Sequence, residues 1–171
     1  PVPVTTAEPW HIWRDNPDLV PEVDFICLHV HPYWEVPPQP IENAAAFVMA
    51  RVQDIQTLYP DIPVVIGETG WPSDGPANGA AVPSALNQQQ FFLELDALAK
   101  AAGIRWFGFE LFDEAWKGEG GVGAHWGLCK TNRPPRLKLA LTSLIQTRIQ
   151  PAELSVTTED LPQRFWWWAP P

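Results

Sequence analysis

The chain has 171 residues, 46% of them hydrophobic, so it is long enough to bury one full-sized core. Its net charge of −9 argues against a nucleic-acid partner, because phosphate binding needs a basic face. A neutral ligand fits this charge better. The ten Trp residues supply flat rings that either fill a core or lie against the apolar faces of sugars.

Short apolar runs alternate with helical patterns along the first part of the chain. Residues 1–8 are predicted as a strand, followed by a weak helical pattern near 10–18 and a second strand at 24–30. Apolar residues at steps of three and four then predict a helix over 41–59, which Pro60 ends.

The same alternation continues through the second part. A strand is predicted over 63–68 and a helix over 87–102, with Asn87 as its N-cap. A further strand follows at 105–112 and a more weakly signalled helix at 136–149. Repeated strand-helix units predict a parallel sheet, and four of them are half of a (β/α)8 TIM-type barrel, for which about 250 residues is typical.

The C-terminal tail departs from this pattern. We therefore predict a half-barrel over 1–150 and a linker over 151–171 that ends in the aromatic run Phe165-Trp166-Trp167-Trp168. That run either packs on the domain or lies at a membrane interface beside a spanning segment, which would attach the protein to a membrane beyond the tail. We expect no spanning segment or signal peptide within the sequence itself.

Polar side chains follow each predicted strand, where parallel α/β barrels carry their reactive groups. The candidate site residues at these positions are Glu8, His29, Tyr33, Glu68, Trp71, Glu114 and Lys117. Glu68 comes directly after a run of aliphatic residues, and a carboxylate there is costly unless it has a partner. A buried ion pair and a catalytic role are the two interpretations.

Two separated motifs carry a resemblance to a known family. The segment Gly67-Glu68-Thr69-Gly70-Trp71-Pro72-Ser73 resembles the nucleophile signature of glycoside hydrolase family 17. Phe112-Asp113-Glu114 with Lys117, and His125-Trp126-Gly127-Leu128, are similar to the last-strand segment of that family. The resemblance covers roughly residues 2–145, and the segment Pro32-Tyr33-Trp34-Glu35 is similar to bacterial members.

The resemblance implies the last four βα units of a (β/α)8 barrel that hydrolyses or transfers β-1,3-glucan with retention of configuration. Glu68 is then the nucleophile, and a second carboxyl group about 5–5.5 Å away is the acid/base. The family's acid/base Glu follows an Asn, and no Asn-Glu dipeptide occurs in this chain. We expect the acid/base in a missing N-terminal half, and the chain alone to be inactive.

The resemblance also implies sugar contacts for several residues. Glu114 and Lys117 match positions that line the sugar site, although a surface pair is the alternative. Tyr33 matches a sugar-contacting Tyr, or is a core ring with a solvated hydroxyl. Trp71 is either a stacking platform or a wedge under its loop, and Glu8 is a weaker assignment at the right strand end.

A metal site is the less favoured interpretation of His29 and His31. Two residues apart in a strand, they face the same side, but no third ligand is suggested. We expect no metal and no cofactor.

Several whole-molecule alternatives stay open. The chain is a retaining β-1,3-glucanase, a glucanosyltransferase domain of a membrane glucan synthase, or a non-catalytic half-barrel that binds glucan. It could also pair with a second chain or form a homodimer through its open sheet edges. A periplasmic or extracellular location is favoured.

Overall fold

A parallel sheet with helices between its strands forms the centre of the computed structural model, which describes residues 2–118, 121–130 and the backbone of 136–137. The four strands lie in the order β1-β2-β3-β4 and are all parallel. They are Ala7–Pro9, Ile26–His29, Val64–Thr69 and Trp106–Gly108. The first three are followed by the helices α1 Trp10–Asp15, α2 Ile41–Leu58 and α3 Ala85–Ala101.

Helix α2 forms where the apolar spacing predicts it. Its buried side chains, which include Ile41, Val48, Val52 and Ile55, recur at steps of three to seven and make one continuous face. The helix ends at Leu58 because Pro60 cannot continue it.

The strands bury one face more deeply than the other. In β2, Ile26 and Leu28 are fully buried, whereas Cys27 and His29 between them are partly exposed. Successive side chains of a strand point to opposite faces, so Cys27 and His29 lie on the face away from this core. That less-buried face carries the polar residues described below.

Three predicted strands are longer than the observed ones, and the second, predicted over 24–30, comprises Ile26–His29. The first comprises Ala7–Pro9 and not residues 1–8, because Val4 is bonded to Asp24 instead. The N–H of Val4 donates to the side chain of Asp24, and its carbonyl accepts the backbone N–H of Asp24. The fourth ends at Gly108 and not at residue 112, because the chain beyond it pairs with residues 126–129.

Helix α3 begins at Ala85, two residues before the predicted start. Ser84 is the N-cap, and its Oγ accepts the backbone N–H of Asn87 at 3.0 Å. The prediction of Asn87 as N-cap was wrong because the helix begins earlier, where Ser84 supplies the capping oxygen. The Asn87 side chain instead donates to the carbonyl of Val82 at 2.8 Å.

The predicted helix over 136–149 does not begin at residue 136. Arg136–Leu137 is a short strand, β6, antiparallel to β5, Cys129–Lys130. The remainder of that predicted helix and the tail over 151–171 lie outside the described residues. Within the described part of the chain, each helix is too short or too polar to cross a membrane.

Candidate active site

Glu68 lies near the end of β3, in register with His29 of β2. Its Oε1 is 2.8 Å from Nε2 of His31, a hydrogen bond, and its Oε2 is 3.9 Å from Nδ1 of His29. The side chain is 34% exposed. Both histidines therefore approach the same half-buried carboxylate from the neighbouring strand and the turn after it.

The surroundings of Glu68 favour its ionised form. Desolvation is the largest single influence and raises the pKa of Glu68. The hydrogen bond from His31 and the charges of His31, His29 and Lys117 outweigh it, so the pKa lies below its ordinary value. Glu68 is thus a carboxylate at neutral pH.

A second cluster of charges follows β4. Nζ of Lys117 is 3.0 Å from Oε2 of Glu110, forms an ion pair with Glu114, and lies 4.5 Å from the ring centre of Phe109. Its charge also lowers the pKa of Glu68. Glu68, Glu114 and Lys117 therefore belong to one end of the sheet.

Glu110 is the group that sequence reasoning missed. Desolvation, and then the neighbouring Glu114, raise its pKa to about 7 even though Lys117 opposes them. Its Oε1 is buried without a hydrogen-bond partner among the described residues. The sequence did contain a signal for it: two Glu residues and one Lys lie within the eight positions 110–117. A single cation cannot balance both carboxylates.

Aromatic rings form the wall beside these charges. The ring of His31 meets Phe109 at 5.6 Å and Trp126 at 5.2 Å between centroids, edge-on in both cases. Trp126 is buried, and it also contacts Trp34, which is 47% exposed. Trp34 is thus the exposed ring of this wall.

The two aromatic site candidates of the sequence analysis lie in the core. Tyr33 is 2% exposed, and its hydroxyl donates to the carbonyl of Pro76 at 2.9 Å. Trp71 is fully buried, packs against Phe91 and donates to the carbonyl of Val82. The geometry favours the core ring for Tyr33 and the wedge under the loop, not the stacking platform, for Trp71.

Glu8 and His29 lie on the β1–β2 side of the site. Glu8 accepts a hydrogen bond from Thr6 at 3.0 Å. Desolvation lowers the pKa of His29, while Glu68 and then Glu8 partly oppose that effect. In the described part of the chain, no three His, Cys, Asp or Glu side chains are grouped as metal ligands would be.

The parallel sheet of strand-helix units is consistent with part of an α/β barrel, and the ionised Glu68 lies at one strand end, as do reactive groups in such barrels. The family model described as the BtgE/BtgC glycoside hydrolase domain matches residues 1–127. The chain belongs to this family.

Named relatives agree with this assignment. A probable beta-glucosidase btgE of Aspergillus clavatus is 36% identical over 127 residues, which are 72% of this chain and 22% of that protein. A glucan 1,3-beta-glucosidase of Schizosaccharomyces pombe is 34% identical over 152 residues, which are 83% of this chain and 46% of that protein. These relatives are fungal, so the expected closeness to bacterial members is not supported.

A solved structure confirms the fold and the resemblance. The glycoside hydrolase family 17 beta-1,3-glucanosyltransferase from Rhizomucor miehei has a TM-score of 0.71 and 31% identity, and the match covers 79% of this chain and 48% of that one. An active-site mutant of a Rhizomucor miehei beta-1,3-glucanosyltransferase, in complex with laminaritriose, has the same TM-score at 30% identity and the same coverage. The chain thus spans about half the length, or less, of the relatives it matches.

Proposed function

We propose that this chain is the nucleophile-bearing part of a retaining glycoside hydrolase that acts on β-1,3-glucan, with Glu68 as the nucleophile. The observation that carries the proposal is the ionised Glu68 carboxylate, held at a strand end by the 2.8 Å contact with His31. The names of the relatives support a β-1,3-glucan substrate.

The chemistry requires two carboxyl groups with different protonation states. A carboxylate oxygen of Glu68 forms a bond to the anomeric carbon while the bond to the leaving oxygen breaks and that oxygen takes a proton from a carboxylic acid. The same acid, then a base, removes a proton from the water or sugar hydroxyl that displaces Glu68. We assign this second carboxyl to an Asn-Glu strand end in the preceding half of the barrel.

Lys117 has a role in the same step. Its ammonium group is anchored by Glu114 and Glu110, so its position relative to Glu68 is fixed. Its positive charge adds to the larger effects of His31 and His29 that lower the pKa of Glu68, and its ammonium group can donate hydrogen bonds to sugar hydroxyls. Tyr33 supports the site indirectly, through the loop that its hydroxyl holds.

The choice between hydrolysis and transfer depends on the acceptor. Both reactions share the glycosyl-enzyme intermediate and differ in whether water or a sugar hydroxyl attacks it. The relatives include proteins named as glucosidases and one named as a glucanosyltransferase. The proposed activity therefore includes both hydrolysis and transfer on the same class of substrate.

The test is Glu68→Ala in the completed barrel, assayed on laminarin. We expect kcat to fall by at least about 10³-fold while the thermal midpoint is kept, since a nucleophile acts in the covalent step. Azide with an activated aryl glucoside should then give a glycosyl azide of inverted configuration. Glu42→Ala, at an exposed position in the first turn of α2, is the matched control and should retain activity.

Two results would contradict the proposal. Near-normal laminarin turnover by Glu68→Ala without azide would mean that Glu68 is not the nucleophile. A loss of the thermal midpoint before the loss of activity would instead indicate an ion-pair role, because removing one partner of a buried pair costs about 3–5 kcal/mol.

A further inference from the structure

We infer that His31 is a positioning residue for Glu68: its imidazole holds Oε1 and leaves Oε2 as the oxygen that attacks the sugar. The inference rests on the proposed role of Glu68 as nucleophile. It goes further by assigning the attacking atom and the side chain that selects it.

The two carboxylate oxygens of Glu68 have unequal surroundings. Oε1 accepts a hydrogen bond from His31 at 2.8 Å, whereas the nearest histidine nitrogen to Oε2, on His29, is 3.9 Å away. A distance of 3.9 Å is too long for a hydrogen bond. The oxygen that accepts a short bond has a lone pair engaged and is the weaker nucleophile, so Oε2 is the oxygen free to attack.

The ring of His31 is held in the orientation that this bond requires. Its side chain is 16% exposed and lies edge-on against both Phe109 and Trp126. The carbonyl of His31 accepts the backbone N–H of Trp34 at 2.9 Å, and the backbone N–H of Val30 donates to the carbonyl of Glu68 at 3.0 Å. Packing and backbone pairing together fix the ring relative to Glu68.

The buried Nδ1 of His31 indicates which nitrogen carries the proton. Nδ1 has no hydrogen-bond partner among the residues that the structure describes. A buried N–H without an acceptor is costly. In the neutral ring the arrangement therefore favours the tautomer with its proton on Nε2, and in the neutral and the charged ring alike Nε2 donates to Glu68.

Other groups also face Glu68, and an experiment must separate them from His31. From β2 these are the imidazole of His29 and the thiol of Cys27, and from the segment after β4 the ammonium of Lys117. Glu8, on β1, acts on His29. Because His31 is the group that hydrogen-bonds Glu68, removing its N–H should raise the pKa of Glu68 while the other groups stay in place.

The first measurement uses the unmodified 171-residue chain. Nitrogen-15 NMR of the histidine rings should show His31 protonated at Nε2. Slow exchange of this proton with solvent, or a coupling across the hydrogen bond, would report the bond to Glu68. A His31 ring protonated on Nδ1 alone would overturn the inference. This measurement needs neither activity nor a variant that folds.

The second measurement compares His31→Leu with His31→Gln. Gln keeps an N–H donor and Leu removes it at similar volume. Carbon-13 NMR titration should give a Glu68 pKa that is raised in the Leu variant and close to wild type in the Gln variant. His11→Leu, at an exposed histidine, is the control and should leave the titration unchanged.

Activity of the completed barrel separates this inference from the proposed function. His31→Leu should lower kcat on laminarin about 10-fold and leave KM unchanged. It should also shift the acid limb of the pH profile of kcat/KM to higher pH, and His31→Gln should restore kcat and the pH profile. If His31→Leu leaves the Glu68 pKa and the acid limb unchanged, the positioning role fails. That outcome leaves the role of Glu68 standing, because only the Glu68→Ala result tests it.

Discussion

Glu110 shows how a single neighbouring charge decides the state of a buried acid. Lys117 contacts both Glu110 and Glu114, and one ammonium group can neutralise only one carboxylate. Glu114 is the more exposed of the two acids and its pKa is lowered, with the hydrogen bond from Lys117 as the main cause. The more deeply buried Glu110 has a pKa raised to about 7, so it keeps its proton to higher pH than an ordinary glutamate.

This protonation predicts a pH dependence of stability. A folded-state pKa raised from 4.5 to about 7 means that the native state binds the proton more tightly than the unfolded state. Glu110 therefore lowers stability as pH rises from about 4.5 to 7, by on the order of 1–3 kcal/mol. Glu110→Gln should match wild type near pH 4.5 and become the more stable protein above pH 7.

Thermal unfolding of both proteins across this range checks the prediction. Glu42→Gln, at an exposed position, is the control and should show no growing difference from wild type. A Glu110→Gln difference that stays constant with pH would mean that folding does not raise the pKa of Glu110.

Glu68 could be predicted from the sequence because the signals that identify it lie next to it in the chain. It follows an aliphatic run in a strand and sits inside a motif, so its neighbours in the chain identify it. His31 and Glu110 gain their importance from contacts 37 residues and 7 residues away along the chain, with Glu68 and Lys117. The contact of His31 with Glu68 depends on the packing of separate segments, which no local pattern specifies, whereas the excess of Glu over Lys after β4 was visible in the sequence.

Helix α3 connects two loops of the site through one buried amide. Gln88 is 1% exposed, and its Nε2 lies 2.9 Å from the carbonyl of Trp71 and 3.1 Å from that of Trp126. One carbonyl belongs to the loop after Glu68 and the other to the aromatic wall. The helix thus ties both segments to the same point.

Gln88→Leu should therefore destabilise the protein by about 1–3 kcal/mol, because it removes the amide donor from the carbonyl of Trp71, while the carbonyl of Trp126 keeps the backbone N–H of Glu110. Chemical denaturation measures the loss, and Gln89→Leu on the partly exposed side of the same helix is the matched control. Equal effects of the two substitutions would show that the Gln88 hydrogen bonds add nothing beyond helix propensity.

The order of strands and helices was predictable, but several boundaries were not. Helix α2 was placed within one residue because its apolar period and Pro60 are local signals. Strand β4 was placed too long because the apolar run continues past Gly108, while the backbone partners change there to residues 126–129. Boundaries of this kind are set by pairing between distant segments.

At the scale of the whole molecule, the sheet ends in an exposed apolar edge. In the described part of the chain, β4 pairs with β3 on one side, and its Phe107 is 63% exposed. Leu111, Phe112 and Trp116 beyond it are also exposed. An open strand edge with apolar side chains is a surface for pairing with another polypeptide.

We predict that the 171-residue chain alone self-associates with rising concentration. Phe107→Thr should weaken this association by at least about 5-fold in sedimentation experiments, since it removes apolar area from the edge. Leu86→Thr, at an exposed position on α3, is the control. A chain that stays monomeric at all concentrations, or equal effects of both variants, would contradict a role for the β4 edge.

Catalysis by this chain without the preceding half of a barrel should depend on the leaving group of the substrate. As the proposed nucleophile, Glu68 requires a proton donor on the other side of the glycosidic bond, and Glu110 and Glu114 are both engaged by Lys117. General acid assistance is worth about 10²–10⁴-fold, so we expect negligible turnover of laminarin. A dinitrophenyl glucoside is different, because its leaving group departs without a proton.

With that substrate the chain alone should form a covalent glycosyl adduct on Glu68, visible as a mass increase, and the adduct should persist because no base activates water. Adding a polypeptide that supplies the Asn-Glu strand end should restore turnover of laminarin and discharge the adduct. Laminarin turnover by the chain alone at the rate of a complete enzyme would contradict this assignment. The acid would then be a local carboxyl, and Glu110, whose pKa of about 7 keeps it protonated near neutrality, is the residue to substitute next.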